Sequence, residues 1–204
     1  MDYLDMYIVG VGGQGVLTIA EIALEAASKK DIPANFYPTK GMAQRGGFVK
    51  AQVRFGRTLY GPSIPEQGAD VLASMELSES LKAVRYAKKG ADFVILNSRW
   101  EPAAVMLGKS PYPGEDTVVS EVEKAGARAH LLSTSPLPLF QGEPIFENLY
   151  LLGAMIRRSG LSALFSLEEI AAVVRERWPK VAEKNIFTLR AGYDAAAAGK
   201  PNGT

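Results

Sequence analysis

Residues 10–15 read GVGGQG, and they stand between the apolar run MYIVGV (6–11) and a helical pattern over 14–29. Val16, Ile19, Ala20, Ala23 and Leu24 line one face of that pattern. A buried strand, a sharp turn and a helix in this order form the opening unit of a mostly parallel α/β sheet. Gly10, Gly12 and Gly15 match G-x-G-x-x-G, with Gly13 as an extra glycine. Absent side chains let backbone approach a pyrophosphate, and the N–H groups at the helix start offer it partial positive charge. The same glycines also permit a tight turn and close helix–strand packing with no ligand at all. Both readings stay open at this point.

Short β-rich runs recur at 34–37, 48–55, 71–74, 91–96 and 128–132, and helical patterns fall at 76–88 and 117–125. In 48–55, Val49, Ala51, Val53 and Phe55 alternate with Lys50, Gln52 and Arg54. That alternation predicts one wet face, in a hairpin with Thr58–Tyr60 or at an antiparallel edge. From 145 the chain reads as helical over 145–158, 167–177 and 181–198, with Ser166 and Glu169 spaced as a capping box. The stretch 98–116, rich in Pro, Gly and Ser, reads as a surface loop. The expectation is an α/β fold: a three-layer sandwich with a mostly parallel sheet, an antiparallel hairpin or edge, and a C-terminal helical layer. It spans 1–198 as one domain, with 199–204 a flexible tail.

Lys and Arg together number 23 and Asp and Glu 22, so no global field favours nucleic acid or an anionic membrane. Asp2 and Asp5 replace a basic flank, and no apolar run approaches the length of a membrane span. These features predict a cytoplasmic chain without signal peptide or span. With no cysteine, this chain cannot hold a Cys-ligated iron–sulfur cluster, a thiolate zinc site or a cysteine nucleophile, and no metal site is expected.

Charge is balanced overall but not locally. From Ile32 to Pro65 no acid occurs, while Lys40, Arg45, Lys50, Arg54 and Arg57 all do. The centre of this segment is TKGMAQRGG (39–47), in a loop after the second strand. Loops after parallel strands lie at the sheet's carboxyl edge, as the 10–15 turn does, so the two are expected over one crevice suited to an anion. Arg45 is the side chain most suited to bind it, because its planar fork pairs with phosphate or carboxylate. Equally, Arg45 is suited to another subunit, with Gly46 and Gly47 a bulge entering the next strand. A nicotinamide site also needs an acid at the end of the second strand, and here the nearest, Asp31, precedes that strand. Elsewhere, Glu76 and Glu79 read as helix-capping acids, His130 as a satisfied strand residue, Ser133–Ser135 as a hydroxyl-rich turn, and Asn148 as a buried amide with structural partners.

GVGGQGVLT, KGMAQRGG before a strand ending VRFG, and ADVLASMELSESL resemble, in this order, the gamma-type domain of 2-oxoacid:ferredoxin oxidoreductases. NLYLLGAM (148–155) and KNIFTLRAG (184–192) extend the resemblance, which runs from about residue 5 to 192 and is strongest to the indolepyruvate-type branch. It implies a Rossmann-like domain that is one part of a larger, hetero-oligomeric enzyme. That enzyme oxidatively decarboxylates an aryl 2-oxoacid, with coenzyme A as co-substrate and ferredoxin as the electron acceptor. Thiamine diphosphate, Mg²⁺ and the iron–sulfur clusters are then expected on a larger catalytic partner. The resemblance further implies that Gly12, Gly13, Gln14 and Gly15, with Gly10 before them, line part of the coenzyme A site or face the partner. Gly41, Met42, Gln44, Arg45, Gly46 and Gly47 form the loop nearest the thiamine centre, with Arg45 and Lys40 the candidate catalytic side chains. Lys40 stands where family members often carry His, which keeps a positive charge but not an imidazole's proton transfer. The rival expectations are a stand-alone NAD-binding or adenylating enzyme and a purely structural assembly module.

Overall fold

The first strand, β1 (Leu4–Val11), is buried along its whole length and stands inside a six-stranded sheet of order β2-β3-β1-β4-β5-β6. This architecture comes from a computed structural model that describes residues 3–38, 47–56, 61, 63–101, 105, 107, 108 and 111–198. The other strands are β2 (Ala34–Pro38), β3 (Phe48–Phe55), β4 (Ala69–Ser74), β5 (Ala87–Leu96) and β6 (Arg128–Leu132). Parallel pairing links β1 to β4, β4 to β5 and β5 to β6, whereas β3 runs antiparallel to both β1 and β2. The β2-to-β3 connection, residues 39–47, is too short for a crossover helix, so β3 turns back beside β2. The mostly parallel sheet thus carries the expected antiparallel edge, formed by the β2–β3 pair.

Two expectations about β3 need correcting. It is not an edge strand, since β1 and β2 occupy both its sides; Thr58–Tyr60, its expected partner, lie outside the described residues. Nor is its polar face wet: Gln52 and Arg54 are buried. Gln52 Oε1 accepts from the Ile64 N–H at 2.6 Å. Arg54 pairs with the buried Asp5 through Nε–Oδ1 and Nη2–Oδ2 contacts of 3.0 Å each, and it also donates to the carbonyl of Gly61 at 2.9 Å. The register sets Asp5 directly opposite Arg54. A desolvated guanidinium is tolerated because a carboxylate and carbonyls take its donors.

Helices cover both faces: α1 (Val16–Lys29), α2 (Ser80–Ala83), α3 (Glu115–Lys124), α4 (Glu147–Arg158), α5 (Leu167–Arg177) and α6 (Ala182–Ala198). Met6, Ile8, Val53 and Val94 pack with α1, α4 and α5 on one face. Tyr7, Val9, Leu72 and Phe93 pack with α2 and α3 on the other. A small hairpin, β7 (Leu139–Phe140) with β8 (Glu143–Pro144), precedes α4. The C-terminal layer closes at two glycines: a Cβ on Gly153 would land on the Leu189 carbonyl oxygen, and one on Gly192 on that of Tyr150. Ser166 and Glu169 form the expected capping box of α5, and Lys30 binds the same carboxylate at 2.8 Å.

The helix expected over 76–88 is broken into short pieces, after a turn at 77–79. Only 80–83 is α-helical, 84–86 is a 3₁₀ turn, and β5 already begins at Ala87. Among the described residues no helix is long and apolar enough to cross a membrane.

Candidate functional site

Strand order reverses between β1 and β4, and at such a switch point the loops leaving the two strands diverge and open a crevice at the carboxyl edge. The glycine turn stands there. Gly13 and Gly15 take φ of +103° and +87°, where L side chains are strained. A Cβ on Gly10 would come within 2.8 Å of Met75 Cβ and of Val16 Cγ2. Gly15 is crowded by the Asn148 amide from the start of α4, whereas a Cβ on Gly13 would meet nothing within 4 Å.

Gln14 is turned inward. Its Oε1 accepts from the Val11 N–H at 2.8 Å and its Nε2 donates to the Met75 carbonyl at 3.1 Å, so its amide ties the turn to the exit of β4. Gly15, the N-cap residue of α1, has no side chain to cap it, and no acid lies in the helix's first turn. Its first helical bond runs from Ile19 N to Gly15 O, which leaves the N–H groups of Val16, Leu17 and Thr18 ahead of it. That is the electrostatic setting in which an anion is stabilised.

The Gly12 N–H donates to the Gly47 carbonyl at 2.9 Å, continuing the β1–β3 ladder past its last pair, Val11 with Phe48. The arginine-bearing loop thus ends against the glycine turn. Gly47 is its described member; Lys40, Gly41, Met42, Gln44, Arg45 and Gly46 lie outside the described residues.

Two carboxyl groups flank this edge. Glu76, fully buried, accepts from Ser78 Oγ at 2.7 Å, from Glu79 N at 2.8 Å and from Trp100 N at 3.1 Å, and it takes the Tyr112 hydroxyl as well. Burial, followed by the bond to Glu76, pushes the Tyr112 phenol up. Glu76 therefore pins the turn after β4 to the segment after β5. Glu147, in the first turn of α4, is half-buried, and burial raises its pKa although the Ser98 hydroxyl, at 3.3 Å, opposes the rise. The sequence reading passed over Glu147, because an acid in a helix's first turn is ordinary. Its signal is tertiary: it adjoins Asn148, which covers Gly15.

The remaining candidates are engaged within the chain. His130 Nε2 lies 2.9 Å from Asp92 Oδ1, which also accepts from Arg128 Nε at 2.8 Å. Burial alone would raise Asp92, but the His130 and Arg128 bonds outweigh it and lower its pKa. Thr134 Oγ1 donates to the Asn97 carbonyl at 2.8 Å, and Ser133 Oγ to the Ser135 carbonyl at 3.2 Å. Among the described residues no group of three or more His, Asp or Glu side chains is placed to hold a metal.

Residues 5–195 match the family described as Pyruvate ferredoxin/flavodoxin oxidoreductase. Indolepyruvate oxidoreductase subunit IorB of Archaeoglobus fulgidus is 34% identical over 201 residues, 98% of each chain. The fold is shared with pyruvate oxidoreductase subunit PORC from Thermotoga maritima, at 18% identity and a TM-score of 0.69 over 95% of this chain and 97% of that one. It is shared too with 2-oxoglutarate:ferredoxin oxidoreductase from Magnetococcus marinus, solved with 2-oxoglutarate, coenzyme A and succinyl-CoA bound. There the identity is 18% and the TM-score 0.70, and the match covers 98% of this chain but 32% of that longer one. At 18% these structural likenesses speak to fold alone. Matched from strand β1 into helix α6, and a third identical to an IorB subunit along its length, the chain belongs to the pyruvate ferredoxin/flavodoxin oxidoreductase family.

Proposed function

We propose that this chain is the small subunit of a hetero-oligomeric 2-oxoacid:ferredoxin oxidoreductase acting on an aryl 2-oxoacid, and that its carboxyl-edge crevice receives part of coenzyme A. The observation that carries the reading is the Gly12–Gly47 hydrogen bond, which brings the end of the arginine loop to an uncapped helix start. Exposed Gly13, open in front and free of a side chain, suits a phosphate-bearing arm.

The chain's own chemistry is binding and orientation. Backbone N–H groups at the turn hold phosphate oxygens, Arg45 pairs with an anionic group from the facing loop, and Lys40 adds a point charge. Thiamine diphosphate, when bound on the larger partner with its Mg²⁺, supplies the electron sink for decarboxylation. Iron–sulfur clusters that carry electrons toward ferredoxin would have to be held by the partner, since a chain without cysteine cannot ligate them through thiolates.

The test is co-purification followed by kinetics. The tagged chain is expected to bring down a larger, cysteine-rich subunit, and the complex to oxidise indolepyruvate only when coenzyme A is present. Arg45→Ala should raise the KM for coenzyme A about tenfold or more, the loss expected for one charge-assisted contact. An unchanged KM, or tight NAD binding by the chain alone, would overturn the reading.

A further inference from the structure

On the sheet face opposite α1, a cavity of about 380 Å³ opens between strands β1 and β3 and the turn of helix that leads into β5. Tyr7, Phe48, Lys50, Leu81, Lys82 and Arg85 line it. Three of these six are cations and none is an acid. β3 runs antiparallel to β2, so no crossover joins the two. In a sheet wound on both sides, a crossover helix would cover this face, and here β3 simply turns back.

Its charges are only partly answered. Lys82 Nζ lies 2.7 Å from Glu79 Oε2 and 4.9 Å from the centre of the Phe48 ring. Arg85 Nε is 3.6 Å from Glu66 Oε1, and its Nη2 donates to the Tyr86 hydroxyl at 3.2 Å. Lys50, half-buried on β3, has no hydrogen-bond or ion-pair partner among the described residues. Drawing an ammonium partly out of water without a partner is costly, and an anion in the cavity would offset that cost. The floor is formed by Tyr7, buried and stacked on Tyr86 with ring centres 4.3 Å apart. Burial, with the Tyr86 hydroxyl beside it, pushes the Tyr7 phenol up.

We propose that this cavity is a second anion site, seating the phosphate or diphosphate of a small ligand on Lys50, Lys82 and Arg85, with Tyr7 and Phe48 as its aromatic floor. It lies on the face of the sheet, not at the glycine turn, and β3 links the two: Gly47 meets the turn, Phe48 lines the cavity rim, and Lys50 stands two residues further along. Lys82 and Arg85 already face Glu79 and Glu66, so Lys50 is the charge an anion would answer most directly, with the other two adding to the positive field.

The test is calorimetric titration of the full chain with inorganic pyrophosphate at low ionic strength. A site that weakens as salt is raised is expected, and it is distinguished from any at the glycine turn by persisting in the Arg45→Ala chain. Lys50→Met and Arg85→Gln should each weaken it about tenfold or more, as loss of one charge-assisted contact does. Arg45→Ala, on the other loop, should leave it unchanged. Thermal melts identify any variant that fails to fold, and Lys50→Gln then replaces Lys50→Met. A parallel titration with coenzyme A assigns the source of the phosphate. Weakening by Lys50→Met as well as Arg45→Ala makes it an arm of that cofactor, and weakening by Arg45→Ala alone makes it a separate phosphate compound. Absence of pyrophosphate binding by the folded chain, or binding indifferent to both Lys50 and Arg85, overturns the proposal, whatever becomes of the crevice reading.

Discussion

Gly13 and Gly153 are the same residue put to opposite uses. At Gly13 the constraint is conformational: φ is +103°, and the space a side chain would fill is empty. At Gly153 the backbone is helical and the constraint is steric, because the Leu189 carbonyl stands where a Cβ would go. Glycine of the second kind holds two helices together; glycine of the first keeps a surface bare. The distinction also divides the motif itself. Gly10 belongs with Gly153, pressed between Met75 and Val16, and Gly15 is constrained in both ways, by its φ and by Asn148. Of Gly10, Gly13 and Gly15, it is Gly13 that has open space before it, and it is the best placed of the three for a ligand.

Substitution tests the division directly. The largest effect is expected at Gly153→Ala, where the new methyl overlaps backbone that cannot swing aside, at a cost of about 3 kcal/mol or more. Gly192→Ala should act alike, and the pair should cost less than the sum, since either one already forces α4 and α6 apart. Thermal denaturation reads both; an unshifted melting curve would mean that the helices separate at little cost. Gly13→Ala comes next, at about 1–2 kcal/mol, the penalty of placing an L side chain in left-handed backbone. Its melt should move less than that of Gly153→Ala, and a reversal of that order would break the distinction.

The reach of sequence reasoning follows the same line between local and tertiary causes. Short β-rich runs bounded mostly by Gly, Pro or charge located all six strands of the sheet, because strand propensity and turn chemistry act between near neighbours. The carboxyl-edge meeting of the glycine turn with Gly47 was legible too, since it follows from strand direction. Asp5 was not read as a partner: it lies 49 residues from Arg54, and only the β1–β3 register brings the two together. Without that pairing, Lys50, Gln52 and Arg54 looked like one wet face, whereas two of the three are buried. The expected helix over 76–88 failed for a related reason. The Glu76 carboxylate takes the N–H groups of Glu79 and Trp100, and Trp100 comes from another strand's exit. Such capture of backbone donors by a distant side chain leaves no periodic trace.

Glu147 carries the comparison to its smallest expected effect. The carboxyl of Glu147 stands beside Asn148, the residue that crowds Gly15. A carboxyl whose pKa is raised on folding holds its proton more tightly in the folded chain than in the unfolded one. Stability is therefore lost as pH rises from the ordinary glutamate value of 4.5 to the raised one, and is flat above it. Glu147→Gln removes this penalty. The variant should match the parent below that window and exceed it at neutral pH by under about 1 kcal/mol, since the group is only half-buried and water screens it. Ser98→Ala, which deletes the hydroxyl that partly offsets the rise, should widen the window on its upper side. Denaturant midpoints followed across that range decide the matter: superimposable curves for parent and Glu147→Gln would mean that the carboxyl is solvated and that this side of the crevice stores no electrostatic cost. If the crevice does take coenzyme A, the same substitution removes a negative charge next to Asn148, and affinity at neutral pH should rise about twofold, an effect that added salt would erase.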